Sequence, residues 1–154
     1  MPRYALKLFA DYHQFYLQDE PADGDLSEAW TQEATDRLLA ISEGVVCIGT
    51  VRNVDVSVTL EILDGEPTRD FGGFDHVVEC SIAITSGRLV IAGCTDYFPD
   101  AKCIEVPPGT YRVRASYANL YSISPDGPDG DDRYLLQLWL SAPTETAVFK
   151  RRAV

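Results

Sequence analysis

Apolar and polar residues alternate along most of this chain, and this period of two constrains its fold more than any other feature. Between residues 54 and 62, valine, leucine and isoleucine occupy every second position, and Asp55, Ser57 and Thr59 lie between them. Successive side chains of a strand point to opposite faces, so the pattern is typical of a strand buried on one side. Related patterns predict strands over residues 3–10, 12–18, 76–85, 88–92, 102–106, 111–117, 133–141 and 146–150.

One segment departs from this alternation and predicts a helix. Residues 26–40 are rich in helix formers. Their apolar positions recur every four residues, at Leu26, Trp30, Ala34 and Leu38. This spacing places the four side chains in one stripe that faces the core. Asp25, followed by Glu28, resembles a capping box at the start of the helix.

The strands and the single helix together predict a mostly β protein. Ser86-Gly87 is a turn signal that predicts a hairpin between residues 76–85 and 88–92. Eight or nine strands with turn residues between them favour a sandwich or a barrel. The chain has no internal repeat and no linker, and 154 residues suffice for one domain. We therefore expect a single antiparallel β-sandwich over residues 1–154, with the helix near an edge or over one end.

Negative charge is concentrated in two segments of the sequence. The chain has 24 acidic and 13 basic side chains, and its formal net charge is −11. Residues 11–33 and 123–132 are rich in carboxylates and contain no lysine or arginine. Such a distribution repels nucleic acid and attracts a basic protein surface, although solubility also explains it.

The cysteines and the hydropathy pattern indicate the compartment. Cys47, Cys80, Cys94 and Cys103 form no CxxC pair, so we expect small buried hydrophobic residues and no disulfide. The chain lacks both a long apolar run and a secretory signal pattern. We expect a cytoplasmic protein with no direct contact to membrane.

Catalytic and metal-binding motifs are missing from the sequence. It contains no G-x-S-x-G, HExxH, Walker A or Rossmann glycine pattern. We therefore predict no enzyme, no catalytic residue, no metal site and no cofactor. The loop over residues 123–132 is rich in aspartate, but it lacks the spacing of a calcium-binding EF-hand. His76 is expected at a solvated strand end, and Lys150-Arg151-Arg152 as a solvated basic end that binds no nucleic acid.

Three short blocks in the first third of the chain carry a family resemblance. They are Tyr12-His13-Gln14-Phe15, then Trp30-Thr31 with Glu33-Ala34, then Arg52-Asn53. In these blocks and their spacing the chain resembles the competence protein J family, the DNA-entry nuclease inhibitors. The resemblance covers about residues 11–60, with a weaker echo at Pro108-Gly109 and Tyr111. It implies a cytoplasmic β-rich protein that inhibits a non-specific DNA endonuclease and so protects the cell's own DNA.

The resemblance and the charge together predict a partner-binding surface, because an acidic inhibitor can occupy the basic substrate groove of a nuclease. The predicted contact residues are Tyr12, Gln14, Tyr16, Asp19, Glu20, Asp23, Asp25, Glu28, Asp126, Asp129, Asp131 and Asp132. The residues predicted to be structural are His13, Phe15, Trp30, Thr31, Glu33, Arg52 and Asn53. Among them, His13 and Phe15 share a strand face and are expected to pack inward against the stripe that includes Trp30.

A second function class stays open at this point. A β-sandwich can bind a small ligand or a carbohydrate, here with Trp139 and tyrosines of one sheet face in a pocket. An inhibitor should associate with a basic partner in a salt-sensitive way, whereas a ligand-binding module should have a concave aromatic pocket. The sequence does not decide the partner nuclease or whether the chain forms homo-oligomers.

Overall fold

Eleven strands and one α-helix make up the described part of the chain. The computed structural model describes residues 3–22, 26, 29–51, 54–93, 96, 98–120 and 130–152. The strands are β1 (Arg3–Phe9), β2 (Gln14–Asp19), β3 (Leu39–Ser42), β4 (Val45–Gly49), β5 (Asp55–Ile62), β6 (His76–Ile84), β7 (Arg88–Gly93), β8 (Lys102–Glu105), β9 (Gly109–Ala118), β10 (Arg133–Leu140) and β11 (Ala147–Lys150). The helix is α1 (Gln32–Arg37).

The strands form two sheets around one hydrophobic core. The first sheet has the order β1-β5-β10-β9-β6-β11, and the second has the order β3-β4-β2-β7-β8. All neighbouring pairs are antiparallel except β5 and β10, which are parallel. The prediction of a mostly β fold with one helix is confirmed, and the parallel pair is a departure from the expected antiparallel arrangement.

The alternation in the sequence fills the core between the sheets. On β5, Val56, Val58 and Leu60 are buried, whereas Asp55 and Ser57 are exposed. Burying each such side chain contributes about 1.5–3 kcal/mol. From the second sheet, the ring of Phe15 meets the ring of Tyr134 edge to face, with the centroids 6.0 Å apart.

The predicted hairpin between the strands on either side of Ser86-Gly87 is wrong. β6 pairs with β9 and β11 in the first sheet, whereas β7 pairs with β2 and β8 in the second. The turn is present, but it carries the chain from one sheet to the other. A turn signal reverses the chain direction without deciding which strands then pair.

Asp19, the last residue of β2, holds this crossing in place. Its carboxylate accepts hydrogen bonds from the backbone N–H of Thr85 at 3.2 Å and from the Thr85 hydroxyl at 2.8 Å. It also accepts from the backbone N–H and the hydroxyl of Ser86. Burial alone would raise the pKa of Asp19, but the hydrogen bonds from Ser86 and Thr85 lower it below 3.8. Asp19 was predicted to contact a partner, yet it is only 5% exposed and belongs to the interior.

The helix is shorter than the predicted residues 26–40. The Thr31 hydroxyl caps it by accepting a hydrogen bond from the Ala34 N–H at 3.1 Å. The last helical residue is Arg37, and the C-cap residue Leu38 has a left-handed φ of 58°. Leu39 then begins β3, because pairing with β4 outweighs the helix propensity of this apolar segment. The predicted cap at Asp25 and Glu28 lies outside the described residues.

The helix and its N-terminal approach cover the outer face of the second sheet. A small cluster lies there, formed by Ala34, Ala40 and Cys47, with Tyr16, Leu26, Ala29 and Trp30 at its margin. Successive β2 side chains point to opposite faces, so Tyr16 is on the helix side and Phe15 is in the core between the sheets. Phe15 is therefore on the opposite face from Leu26, Trp30 and Ala34, and of the predicted stripe Leu38 alone shares its core cluster.

A buried ion cluster covers the outer face of the first sheet. Glu79 on β6 accepts hydrogen bonds from the Nε–H of Arg112 at 3.0 Å and of Arg114 at 2.7 Å, both on β9. The two guanidinium groups also donate to backbone carbonyls of residues 67–68 and 144–145. The cluster therefore ties two connecting segments to the sheet.

His76 is buried, whereas a solvated strand end was predicted. Its Nε2–H donates to the Arg37 carbonyl at 2.7 Å, and its Nδ1 accepts from the backbone N–H of Arg152 at 3.1 Å. Burial lowers the pKa of His76 below 6.5, the bond to Arg37 opposes this, and the charges of Arg152 and Arg151 lower the pKa further. His76 thus joins β6 to the end of α1 and to residues 151–152.

Replacing Asp19 with asparagine should lower the free energy of unfolding by about 2–3 kcal/mol at neutral pH, because an amide cannot accept from all four donors. The lowered pKa means that Asp19 stabilises the fold fully above pH 3.8, and that this contribution is lost as pH falls through the folded-state pKa. The deficit of D19N should therefore shrink in acid. Urea unfolding at several pH values measures it, with exposed Asp64→Asn as the control. A deficit that does not change with pH would contradict the assignment.

Acidification should destabilise the fold through His76. A histidine whose folded-state pKa is lowered stabilises above its unfolded value of 6.5 and loses that contribution as pH falls towards the folded-state pKa. We expect His76→Gln to flatten the decline of unfolding free energy between about pH 7.5 and 5. The matched control is His13→Gln, since His13 is the chain's other histidine and is exposed. Flattening by H13Q instead of H76Q would contradict the prediction.

Candidate functional site

A cleft of about 490 Å³ opens where the turn before β2 faces the residues that precede α1. Its walls come from residues 12–14, Trp30, Thr35, Leu38, residues 49–51 and Arg152. Two of the blocks that carry the family resemblance, at Tyr12 and at Trp30, therefore meet at one site.

Left-handed backbone is concentrated at this cleft. Tyr12, His13 and Leu38 have φ values of 59°, 59° and 58°, and in the part of the chain that the structure describes Asn119 is the one further non-glycine residue with positive φ. For bulky residues this conformation costs about 1–2 kcal/mol each, and such strain gathers at binding and catalytic sites. The backbone geometry alone thus singles out this cleft as a candidate site.

The turn that contains Tyr12 and His13 is held by backbone hydrogen bonds. The His13 N–H donates to the Ala10 carbonyl at 3.0 Å, and the His13 carbonyl accepts from the Thr50 N–H at 2.8 Å. The backbone at Tyr12 is consequently held in place, while 71% of the surface of this residue remains exposed. An ordered, exposed aromatic residue is a typical anchor for a partner.

This turn also corrects two predictions. The strand expected over residues 12–18 begins at Gln14, because Asp11–His13 form a 3-10 turn. His13 is exposed and does not pack inward with Phe15. No sequence signal marks the turn, since glycine and asparagine are the usual residues with positive φ.

The other predicted contacts of this strand are partly buried. Gln14 lines the cleft, and its Oε1 accepts a hydrogen bond from the Cys47 Sγ at 3.0 Å. Tyr16 lies deeper, against the cluster under α1. Of the three amphipathic residues predicted to contact a partner, Tyr12 alone has a mostly exposed side chain.

The predicted acidic residues that the structure describes differ in their surroundings. Glu20 pairs with Arg88 at 2.9 Å. Asp132 is buried and accepts a hydrogen bond from the Tyr134 hydroxyl at 2.7 Å, whereas Asp131 is exposed. Several predicted site residues lie outside the described part of the chain, namely Asp23, Asp25, Glu28, Arg52, Asn53, Asp126 and Asp129.

Two exposed acidic residues of α1 were not among the predicted contact residues. Glu33 and Asp36 are exposed on α1, on either side of Thr35, which lines the cleft. Glu33 was predicted to be structural, and Asp36 was not among the predicted site residues. Both residues lie within the predicted helix, but the start of that helix was placed too early, at residue 26 instead of Gln32.

Trp30 forms one wall of the cleft through packing. Its side chain packs against the cluster that contains Ala34 and Cys47. Its indole Nε1 is buried and has no hydrogen-bond partner among the described residues. A buried donor without a partner costs about 1–3 kcal/mol, so apolar contacts must hold this ring in place.

The pocket predicted around Trp139 and tyrosines differs in the structure: Trp139 and Phe149 line a cavity of about 410 Å³ whose other described walls are mostly polar and include no tyrosine. Trp139 is buried, and the Arg114 guanidinium lies over its ring, with the guanidinium carbon 5.5 Å from the ring centroid. Tyr111, Tyr117 and Tyr134 are buried in the core. These tyrosines therefore support the sheets, and the predicted grouping of Trp139 with tyrosines in one pocket is wrong.

Within the described ranges, no group of three or more His, Cys, Asp or Glu side chains could hold a metal ion. Burial raises the pKa of Cys80 to about 12, which keeps that thiol protonated. No helix in the described residues has the length and apolar character needed to cross a lipid bilayer.

Comparison with known proteins identifies structural relatives. No protein-family model matches the sequence, and no curated protein matches it. The crystal structure of ComJ, inhibitor of the DNA degrading activity of NucA, from Bacillus subtilis matches with a TM-score of 0.70 and 17% identity, over 90% of this chain and 96% of that chain. A structure described as crocagin biosynthetic gene J matches with a TM-score of 0.57 and 21% identity, over 91% of this chain and 96% of that chain.

Both similarities extend over nearly the whole of each chain, so they concern the complete arrangement of strands. At such low identity the similarity establishes architecture, and side-chain roles must be argued from this structure. The chain has the fold of ComJ, which is the fold that the sequence resemblance implied.

Proposed function

We propose that this protein binds a DNA-degrading endonuclease and inhibits it by covering a basic surface of the enzyme, without catalysis. The observation that carries the proposal is the fold shared with ComJ, an inhibitor of the DNA degrading activity of NucA. The net charge of −11 supports it, because an acidic protein is attracted to a surface that binds DNA. The proposed action is protection of DNA in the cytoplasm.

The contact surface that we propose is the rim of the cleft, with Tyr12 as its anchor. Aromatic residues at the centre of an interface contribute most of the binding energy. Backbone hydrogen bonds to the 3-10 turn fix Tyr12 before a partner arrives, so little conformational entropy is lost on binding.

Helix α1, whose Thr35 lines the cleft, also carries exposed negative charge. The Glu33 side chain is 82% exposed, and its contact with Arg37 at 3.6 Å is a surface ion pair of small energy. Asp36 is exposed and accepts a hydrogen bond from the Gln32 amide at 2.9 Å. Glu33 and Asp36 are the exposed carboxylates that we propose to meet a basic partner, a role that Asp19 and Asp132 cannot share because they are buried.

A plasmid-degradation assay tests the proposal and its anchor. The purified protein, mixed with the non-specific endonuclease of the same organism, should abolish cleavage stoichiometrically. Tyr12→Ala should weaken inhibition by about thirtyfold, the loss of an aromatic anchor worth about 2 kcal/mol. Leu140→Ala is the matched control, since Leu140 is 52% exposed at the end of β10. Full cleavage at a large molar excess of the wild-type protein would refute inhibition, and equal losses in the two variants would refute the anchor.

Paired charge substitutions test the role of α1. The double variant Glu33→Gln/Asp36→Asn should slow association with the nuclease by about three- to tenfold at low salt, and the difference should shrink as salt is added. The control Glu43→Gln/Asp64→Asn removes the same amount of charge at two exposed positions. Glu43 lies in the turn between β3 and β4, at the end of β3 that is away from α1. Equal slowing by both variants would show that net charge acts without a preferred face.

A further inference from the structure

Arg152 differs from the other partly buried or buried arginines of the described chain. Six arginines contact a carboxylate: Arg3, Arg37, Arg69, Arg88, Arg112 and Arg114. Arg133 and Arg151 are exposed to solvent. Arg152 is partly buried at the wall of the cleft and has no carboxylate partner within the described residues. In a chain with 24 acidic side chains, a shielded cation without an anion is unexpected.

The position of Arg152 is set by a buried hydrogen-bond chain. Its backbone N–H donates to Nδ1 of His76 at 3.1 Å, and Nε2–H of the same ring donates to the Arg37 carbonyl at 2.7 Å. His76 is fully buried and packs edge to face on Tyr117, with the centroids 5.0 Å apart. The sequence had suggested a solvated basic end, but Arg152 is anchored to β6 and to the end of α1.

The rest of the cleft is largely apolar next to this cation. Trp30, Leu38 and Val51 contribute apolar surface, and Tyr12 stands at the rim. A Cβ atom at Gly49 would come within 3.2 Å of the Leu38 Cα. The glycine therefore lets the two backbones pack closely in this wall of the cleft. The volume of about 490 Å³ falls in the range typical of small-molecule sites.

We propose that the cleft binds a small organic anion, a carboxylate joined to an apolar body, with Arg152 as its counter-ion. The carboxylate accepts hydrogen bonds from the guanidinium. The planar guanidinium matches the two oxygens of a carboxylate better than an ammonium group would. The apolar body packs against Trp30 and Leu38. Ligand binding of this kind goes beyond nuclease inhibition and does not depend on it.

Other ligand classes fit the cleft less well. A cation would meet the charge of Arg152 at close range. A neutral apolar molecule would leave the guanidinium without a partner in a more desolvated site. An extended polyanion such as DNA would meet Glu33 and Asp36 on α1 and the net charge of −11. A small anion satisfies Arg152 without extending to the acidic helix.

Calorimetric titration of the full chain with phenylacetate tests the proposal, with phenylacetamide as a neutral compound of nearly the same shape. We expect 1:1 binding of phenylacetate, at least about tenfold tighter than that of the amide. Equal affinities would overturn the role of charge. Failure of phenylacetate, benzoate and hexanoate to bind at about 10 mM would overturn the site itself.

Two neighbouring substitutions locate the counter-ion. Arg152→Gln removes the charge but keeps the backbone N–H that donates to His76, so the fold should be preserved. It should weaken phenylacetate binding by about tenfold, to the level of the amide. Arg151→Gln makes the same change of net charge at an exposed position and should leave binding unchanged. Equal effects of the two substitutions would overturn the assignment to Arg152. No nuclease is present in these titrations, so their failure is distinguishable from failure of the inhibition proposal.

Discussion

The second sheet has apolar residues on both faces, and much of the structure follows from the need to cover them. In β4, Val45, Val46, Cys47 and Ile48 are all buried. One face of this sheet forms the core with the first sheet, and α1 with Trp30 covers the other. A helix of six residues is not stable alone, so α1 depends on the sheet as much as the sheet depends on its cover. The cleft lies where this cover ends, beside residues 49–51.

The acidic character of the chain does not by itself reveal a binding surface. Asp19 and Glu79 are buried carboxylates whose hydrogen-bond donors hold connecting segments against the sheets. Asp132 is buried on the Tyr134 hydroxyl in the same way. Burying a carboxylate is tolerated only with such donors, so these residues stabilise the fold and offer no charge to a partner. Among the described residues, Glu33 and Asp36 are exposed acids on α1, the helix whose Thr35 lines the cleft and whose position only packing determines.

The cleft combines features with separate physical origins. Backbone strain at Tyr12, His13 and Leu38 is offset by the surrounding hydrogen bonds and packing. Arg152 reaches the cleft because a buried histidine holds its backbone. The two structural relatives share 17% and 21% identity with this chain, so the fold can persist while such side chains change. A common scaffold is therefore compatible with one site that anchors a protein and accepts a small anion.

The sequence by itself determined the strands whose pattern is local. Alternation in β5 predicts its exposed and buried faces, and alternation in β9 predicts which side chains face the core, because the period of two depends only on neighbours along the chain. It missed β4, whose uninterrupted apolar run has no alternation, and β3, whose residues also suit a helix. Only the tertiary structure decided that β6 and β7 lie in different sheets. The turn between them is held by hydrogen bonds to Asp19, which is far from it in the sequence. It also decided the left-handed turn at Tyr12 and the meeting of Trp30 with Arg152, because contacts between residues far apart in sequence leave no periodic signal.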